Sequence, residues 1–253
     1  MNDDISEHEL RVGADGRSIA ALEREGAFPA VLWLGGFNSS MTGTKASALD
    51  RFCAENGRAY WRFDYSAHGR SPGDMAEATV SRWLEEARAV AALAGENPVL
   101  VGSSMGGWIS LRLAEEMVTA GHRVKALVLI APAVDMTERL LKPALTPEMR
   151  RQLEARGVCE RPSAYDDGPY RVGQALLDDG ANHLILGRDI RLGCPIHIIH
   201  GARDPDVPLT LSQELTASLA LDDVSMTVIA DGDHRLSRPT DIDLICRTVK
   251  RYW

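Results

Sequence analysis

Aromatic residues make up only 6% of this 253-residue chain, and cysteine occurs four times. Cys53, Cys159, Cys194 and Cys246 stand far apart and form no C-x-x-C pair. Their scatter excludes a disulfide-stapled mini-domain and a zinc knuckle, and free thiols in a reducing compartment are the simplest reading. No apolar run reaches the ~18 residues that a membrane span needs, so no stable membrane insertion is expected. Positive charge is also scarce: 28 Lys and Arg stand against 36 Asp and Glu, a net charge of −8. That balance argues against a nucleic-acid groove or an anionic lipid surface as partner. The first residues, Met1-Asn2-Asp3-Asp4, are acidic and lack the apolar core of a secretory signal, so a cytoplasmic protein is expected.

What the chain does have is a rhythm. Short apolar runs at residues 30–34, 59–64, 98–102, 126–130, 196–199 and 225–229 read as strands. Ahead of them, the segment up to about residue 23 reads as a hairpin turning at Asp15-Gly16. Helical spacing over residues 80–93 puts Trp83, Leu84, Ala87, Val90 and Ala91 on one face, and further helices are predicted over 105–120 and 240–252. Strands alternating with helices predict an α/β class with a mostly parallel central sheet covered on both faces. Ligands in such sheets bind beyond the C-terminal ends of the strands. One domain, residues 1–253, accounts for the length and leaves room for an insertion. Between Pro132 and Pro195 the strand rhythm stops, although leucines recur among many charges. A structureless loop of that length is unusual, so a helical cap is predicted over about residues 134–190, above the site.

The chemistry centres on Gly102-Ser103-Ser104-Met105-Gly106, between a predicted strand and a predicted helix. This G-x-S-x-G run suits a nucleophile elbow, where small residues two before and two after the serine let the chain bend sharply. By itself the pattern arises by chance in roughly one chain in ten of this length, so a plain glycine-rich turn is its rival. No G-x-G-x-x-G run occurs, and no Lys follows the glycines, which argues against a phosphate loop.

A serine hydroxyl needs a base, and the base needs an orienting acid. In this fold they follow the serine in the order acid, then histidine. The run His200-Gly201-Ala202-Arg203-Asp204-Pro205-Asp206 follows one strand, and Asp231-Gly232-Asp233-His234-Arg235 follows the next. Asp204 is thus read as the acid and His234 as the base. Asp206 is the main rival for the acid. His200 and His68 are rivals for the base, though His200 more naturally holds the Asp204 loop and His68 precedes the serine. His197 lies inside a strand, and Asp231 and Asp233 read as solvated loop carboxylates. Two backbone N–H groups must hold the oxyanion: that of Met105, after the nucleophile, and one from the Leu34-Gly35-Gly36-Phe37-Asn38 loop, assigned to Phe37.

Several further runs join this pattern. They are Gly36-Phe37 with Met41-Thr42-Gly43-Thr44-Lys45-Ala46, Arg62-Phe63-Asp64-Tyr65-Ser66, Gly102 through Trp108, and Asp233-His234-Arg235. Together with the elbow and the two loops, they resemble the α/β-hydrolase superfamily from about residue 30 to the C-terminus. More narrowly they resemble the abhydrolase family of the mitochondrial palmitoyl-protein thioesterase, also described as mycophenolic acid acyl-glucuronide esterase. The resemblance implies the α/β-hydrolase fold, Ser104, Asp204 and His234 as the triad, and a tilt toward S-acyl cleavage or activated acyl esters. Gly35-Gly36 departs from the usual His-Gly or Pro-Gly, and Ala67-His68 vary a Gly-rich turn. Both change pocket shape and leave the reacting groups in place. The function expected is a serine hydrolase of carboxylic esters or thioesters that works through an acyl-serine, with no metal and no cofactor. Its partner would be a small-molecule or S-acylated protein or peptide substrate. Two rivals stand beside it: cleavage of an amide, lactone or C–C bond by the same triad, and a non-catalytic binding module, which the intact Ser–Asp–His order opposes.

Overall fold

In the computed structural model, which describes residues 5–162 and 168–253, ten strands and seven α-helices follow one another along the chain. A hairpin, β1 (Ile5–Val12) and β2 (Arg17–Arg24), precedes β3 (Ala27–Leu34), α1 (Thr44–Glu55) and β4 (Arg58–Phe63). Next come α2 (Val80–Leu93), β5 (Val99–Ser103), α3 (Met105–Thr119) and β6 (Ala126–Ile130). The segment after β6 contains α4 (Pro147–Arg156), β7 (Val158–Arg161), β8 (Tyr170–Gly173) and α5 (Gln174–Asp179). The chain closes with β9 (Ile196–Gly201), α6 (Leu209–Ser218), β10 (Val224–Ile229) and α7 (Pro239–Lys250).

Eight strands form one sheet in the order β1-β2-β4-β3-β5-β6-β9-β10. The pairs β1–β2 and β2–β4 are antiparallel, and every other neighbouring pair is parallel. Strand residues alternate between two cores because successive side chains point to opposite faces. Val31 and Trp33 of β3 pack with α1 and α7 on one side, whereas Leu32 and Leu34 pack with α2, α3 and α6 on the other. Strands β5, β6 and β9 are buried along their whole length, as central parallel strands must be. Helix α2 forms where its stripe of Trp83, Leu84, Ala87, Val90 and Ala91 meets the core, with Thr79 capping its start by accepting from the Arg82 N–H. The chain leaves β3 for β4 on one side and returns to β5 on the other. The order therefore reverses beside the C-terminal end of β3, which is where a crevice opens in such sheets.

The segment between β6 and β9 differs from the helical insertion expected over residues 134–190. Helical turns are present, but so is a two-stranded antiparallel hairpin, in which Val158 pairs with Gly173 and Arg161 with Tyr170. Each strand has only four residues and carries exposed charge at Glu160 and Arg171. Alternation that short leaves no readable period. Tertiary contact supplies what periodicity could not: a side chain at Gly173 would place its Cβ 2.6 Å from the Met75 carbonyl oxygen, so β8 lies directly on that loop. Asp135 ties the start of the segment to its end, accepting from the Ile185 and Leu186 N–H groups at 2.7 and 3.0 Å. Trp108 on α3 donates to the His183 carbonyl at 2.9 Å, and Asp179 accepts from Ser81 on α2.

A buried ionic network supports the loop between β3 and α1. Asp50 on α1 accepts from Arg24 of β2 at 2.6 Å and from Arg62 of β4 at 3.0 Å. Arg62 also donates to the Met41 carbonyl, and Asp64 accepts from the Met41 and Arg70 N–H groups. Burial pushes the Asp64 carboxyl up, opposed by those two backbone donors. Asp50→Ala would leave two guanidinium groups buried around a missing partner. An expected stability loss of about 3–5 kcal/mol, read by urea unfolding, follows from removing one member of a buried ionic cluster.

Candidate active site

At the end of β5 the backbone turns straight into α3, and Ser104 stands at the corner with φ 53° and ψ −119°. This is a strained conformation for a residue with a side chain. It is held from both directions: the Ser104 N–H donates to Ile130 O at 2.9 Å, and its carbonyl accepts from Gly107 and Ala133. The flanking glycines are needed for close approach. A Cβ at Gly102 would lie 2.4 Å from Gly106 O, and one at Gly106 would lie 2.0 Å from Leu34 O. Only bare backbone lets β5, α3 and β3 come together at this point.

Two loops at the C-terminal ends of β9 and β10 bring the other predicted residues to the serine. They run so close that a Cβ at Gly201 would meet Gly232 O at 2.4 Å, and the Arg203 N–H donates to that same carbonyl. The Ser104 hydroxyl lies 3.1 Å from His234 Nε2, and His234 Nδ1–H donates to Asp204 Oδ2 at 2.7 Å. The second Asp204 oxygen accepts from the Asp206 and Val207 N–H groups at 2.9 and 2.8 Å. Burial alone would raise the Asp204 carboxyl, but the imidazoles of His200 and His234 and the Val207 N–H outweigh it and hold the carboxyl well below its ordinary range. A carboxylate at Asp204 accepts from His234 Nδ1–H, the arrangement that leaves Nε2 facing the serine hydroxyl.

The rival residues occupy other positions. His200 is fully buried. It bonds Ser212 Oγ through Nδ1 at 2.7 Å, donates from Nε2 to Val207 O at 2.9 Å, and has Asp204 Oδ2 at 3.4 Å, so it braces the Asp204 loop from behind. His68 is buried beneath the Phe37 ring and bonds the Ser66 carbonyl. His197 bonds Ser225 and Thr227 across the β9–β10 pair. Asp231 pairs with Arg238, and Asp233 accepts from the Leu236 N–H within its own turn. Asp206 lines the cavity, with a carboxylate oxygen within 4.8 Å of the Asp204 and His234 ligand atoms, while the 2.7 Å bond to His234 Nδ1 is made by Asp204.

The residues predicted to hold an oxyanion lie on either side of Ser104. A Cβ on Gly36 would sit 3.3 Å from Ser104 Cβ, so the loop that carries Phe37 passes directly over the serine. Neither the Phe37 nor the Met105 N–H donates to a protein acceptor among the described residues. Met105 also begins α3, whose N-terminal end favours negative charge. A cavity of about 460 Å³ opens over this point, lined by Phe37, Ser104, Leu140, Leu141, Tyr170 and His234 among others. Tyr170, on β8, meets the Phe37 ring edge-on at 6.1 Å and was not readable from sequence, because nothing local marks the short hairpin that carries it. Lys45 also reaches this cavity, from the first turn of α1.

Asp204, Asp206 and His234 offer three possible ligand atoms within 4.8 Å of one another. Their hydrogen bonds already use the atoms that a cation would need: Asp204 Oδ1 serves two amides, Asp204 Oδ2 serves the imidazole, and His234 Nε2 faces a hydroxyl. The donor set fits an acid–base relay better than a metal centre.

With this geometry in view, the relatives are informative. The alpha/beta hydrolase family matches residues 31–242. The mitochondrial palmitoyl-protein thioesterase ABHD10 of Bos taurus is 33% identical over 234 residues, 92% of this chain and 75% of the relative. A crystal structure of a protein from Agrobacterium vitis S4 superposes with a TM-score of 0.92 at 45% identity, covering 98% of each chain. The mouse alpha/beta hydrolase domain-containing protein 10 superposes with a TM-score of 0.85 at 31% identity, covering 97% of each chain.

The depressed Asp204 carboxyl makes a prediction about stability. Its folded-state pKa lies below the unfolded value, so the stabilisation is present above the unfolded pKa of roughly 4 and is lost as pH falls from there. Asp204→Asn removes it. The stability gap between wild type and this variant is expected to be wide in urea unfolding at pH 7 and narrower at pH 3. A gap independent of pH would contradict the assignment of charge.

Proposed function

The chain belongs to the alpha/beta hydrolase family, and on that premise we propose that it is a serine hydrolase of carboxylic esters and thioesters, with Ser104, His234 and Asp204 as its triad. The observation that carries this reading is the unbroken chain from Ser104 Oγ to His234 at 3.1 Å and from His234 to Asp204 at 2.7 Å, on a serine held at a strained elbow.

In this reading Ser104 Oγ attacks the acyl carbonyl carbon while His234 Nε2 takes the hydroxyl proton. The carbonyl oxygen becomes an oxyanion between the Phe37 and Met105 N–H groups, at the N-terminal end of α3. The imidazolium, steadied by ionised Asp204, then gives its proton to the leaving alcohol or thiol, and an acyl-serine remains. A water enters, His234 takes its proton, and collapse of the second tetrahedral intermediate releases the acid and restores Ser104. The chain itself supplies nucleophile, base and oxyanion donors, so the reading gives no part to a metal or cofactor.

The apolar wall from Met136, Leu140 and Leu141 suits an acyl chain. The relatives' names include palmitoyl-protein thioesterase, which favours an S-acylated protein or peptide, or a small activated acyl ester, as substrate. We take residues 1–253 as one hydrolase domain with residues 134–190 as its cap, a reading supported by the Leu140, Leu141 and Tyr170 side chains over the serine. All four cysteines are unbridged and buried, and no helix among the described residues is long and apolar enough to cross a membrane. Unbridged thiols suit a reducing compartment, the cytoplasm or the mitochondrial one in the relatives' names.

An alkyl fluorophosphonate is expected to label the folded protein at Ser104 and to leave Ser104→Ala unlabelled, as mass spectrometry would read. Ser104→Ala should lower kcat for p-nitrophenyl esters by about 10⁴- to 10⁶-fold. Retained turnover in that variant would overturn the nucleophile. Among p-nitrophenyl esters, acyl-CoA and an S-acyl peptide, activity on at least one ester or thioester is required.

A further inference from the structure

The acyl-transfer steps give no task to Lys45, which lies in the run Met41-Thr42-Gly43-Thr44-Lys45-Ala46. The structure nonetheless invests heavily in placing it. Asp64 and Arg62 grip Met41 by its N–H and carbonyl, Arg62 reaches Ser47 Oγ, and Asp50 anchors both Arg62 and Arg24. The Ser47 hydroxyl donates to Thr42 O, and its N–H donates to Gly43 O. This braced loop presents Lys45, half-buried, to the cavity that holds Ser104 and His234.

There Lys45 Nζ donates to the Arg235 carbonyl at 2.5 Å, across 190 residues of sequence. Arg235 follows His234 directly. The His234 ring is held on one side by Asp204. The Lys45 bond holds the backbone next to it, from an element that continues the Phe37 loop. An ammonium drawn out of water costs free energy unless it is engaged. Here its partner is a neutral carbonyl at a site where a small shift of the imidazole matters.

We infer that Lys45 is a positioning residue for acyl transfer: its ammonium fixes the Arg235 carbonyl and so holds the His234 imidazole within reach of Ser104 Oγ. The inference rests on the serine-hydrolase reading above. It gives the braced loop a functional purpose and links the oxyanion side of the site to its base.

The charge on Lys45 makes this testable. Burial brings its pKa down to about 8, with Asp233, Asp204 and Asp241 favouring the charged form and Arg235 opposing it; His234 and Asp206 line the same cavity. Above that pH the charge-assisted bond becomes an ordinary amine–carbonyl bond and weakens. An arginine at this position stays charged throughout.

The experiment compares wild type, Lys45→Met and Lys45→Arg as full chains, using p-nitrophenyl butyrate and a p-nitrophenyl ester bearing a carboxylate, from pH 6 to 10. Lys45→Met is expected to lower kcat by about 10- to 100-fold, as displacement of a catalytic group by a fraction of an ångström to 1 Å does, with KM for the neutral ester unchanged. Lys45→Arg should restore most of kcat at pH 7 and abolish the alkaline decline that wild type shows near pH 8. Unchanged kcat in Lys45→Met, an identical alkaline limb in Lys45→Arg, or a loss confined to KM for the carboxylate-bearing ester would each overturn the inference. If Lys45→Met does not fold, the pH profile of Lys45→Arg decides alone. Fluorophosphonate labelling of wild type separates the two readings: without labelling the serine mechanism fails, whereas labelling with intact Lys45→Met turnover removes only the role of Lys45.

Discussion

Ser104 rests at φ 53° and ψ −119°, a conformation that costs a residue with a side chain on the order of 1–3 kcal/mol. The neighbourhood is arranged to offset that cost. Its N–H reaches β6 and its carbonyl receives two donors, while Gly102 and Gly106 remove the side chains that would push β3, β5 and α3 apart. The same corner lifts the hydroxyl off the sheet and aims the first turn of α3 at the space in front of it. Strain, close approach and the helix terminus are therefore one device, and the loops from β3, β9 and β10 converge on the point it defines.

Convergence of those loops depends on charge that is buried and paired. On the β3 side, Asp50 pairs with Arg24 and Arg62, while Arg62 and Asp64 bond the Met41 carbonyl and N–H in the loop beyond Gly36. On the β9 side, Asp204 is kept ionised by imidazole and amide donors and braced from behind by His200 and Ser212. Buried carboxylates of these two kinds differ in consequence. Burial wins over hydrogen bonding at Asp64 and loses to it at Asp204, so the first is a structural clamp and the second a fixed negative charge beside an imidazole.

The segment between β6 and β9 adds shape to this chemistry. Asp135 closes it at its base, Trp108 and Ser81 hold its far end to α3 and α2, and its hairpin leans on the Met75 loop. Tyr170 then meets the ring of Phe37, whose loop passes over the serine at Gly36, so the hairpin and that loop share a contact at the cavity wall. Leu140 and Leu141, two of the leucines that recur through this segment, line the cavity.

The sequence by itself determined the elements whose causes are local. Buried strands such as Val99–Ser103 and Ala126–Ile130 need continuous apolar runs, α2 needs its apolar stripe, and the elbow needs its two glycines; all of these are visible along the chain. Chain order also put Ser104, Asp204 and His234 forward as partners, since each follows a strand. Only the tertiary structure decided which carboxylate meets the imidazole. Asp204 and Asp206 are two residues apart on one loop, and the bracing of that loop turns Asp204 toward His234. It also decided the hairpin at β7 and β8, too short to show a period, and the bond from Lys45 to Arg235, whose partners lie 190 residues apart. Local propensity is written in neighbouring residues, but contact across the sheet depends on how independent elements pack, and no single stretch of sequence carries that information.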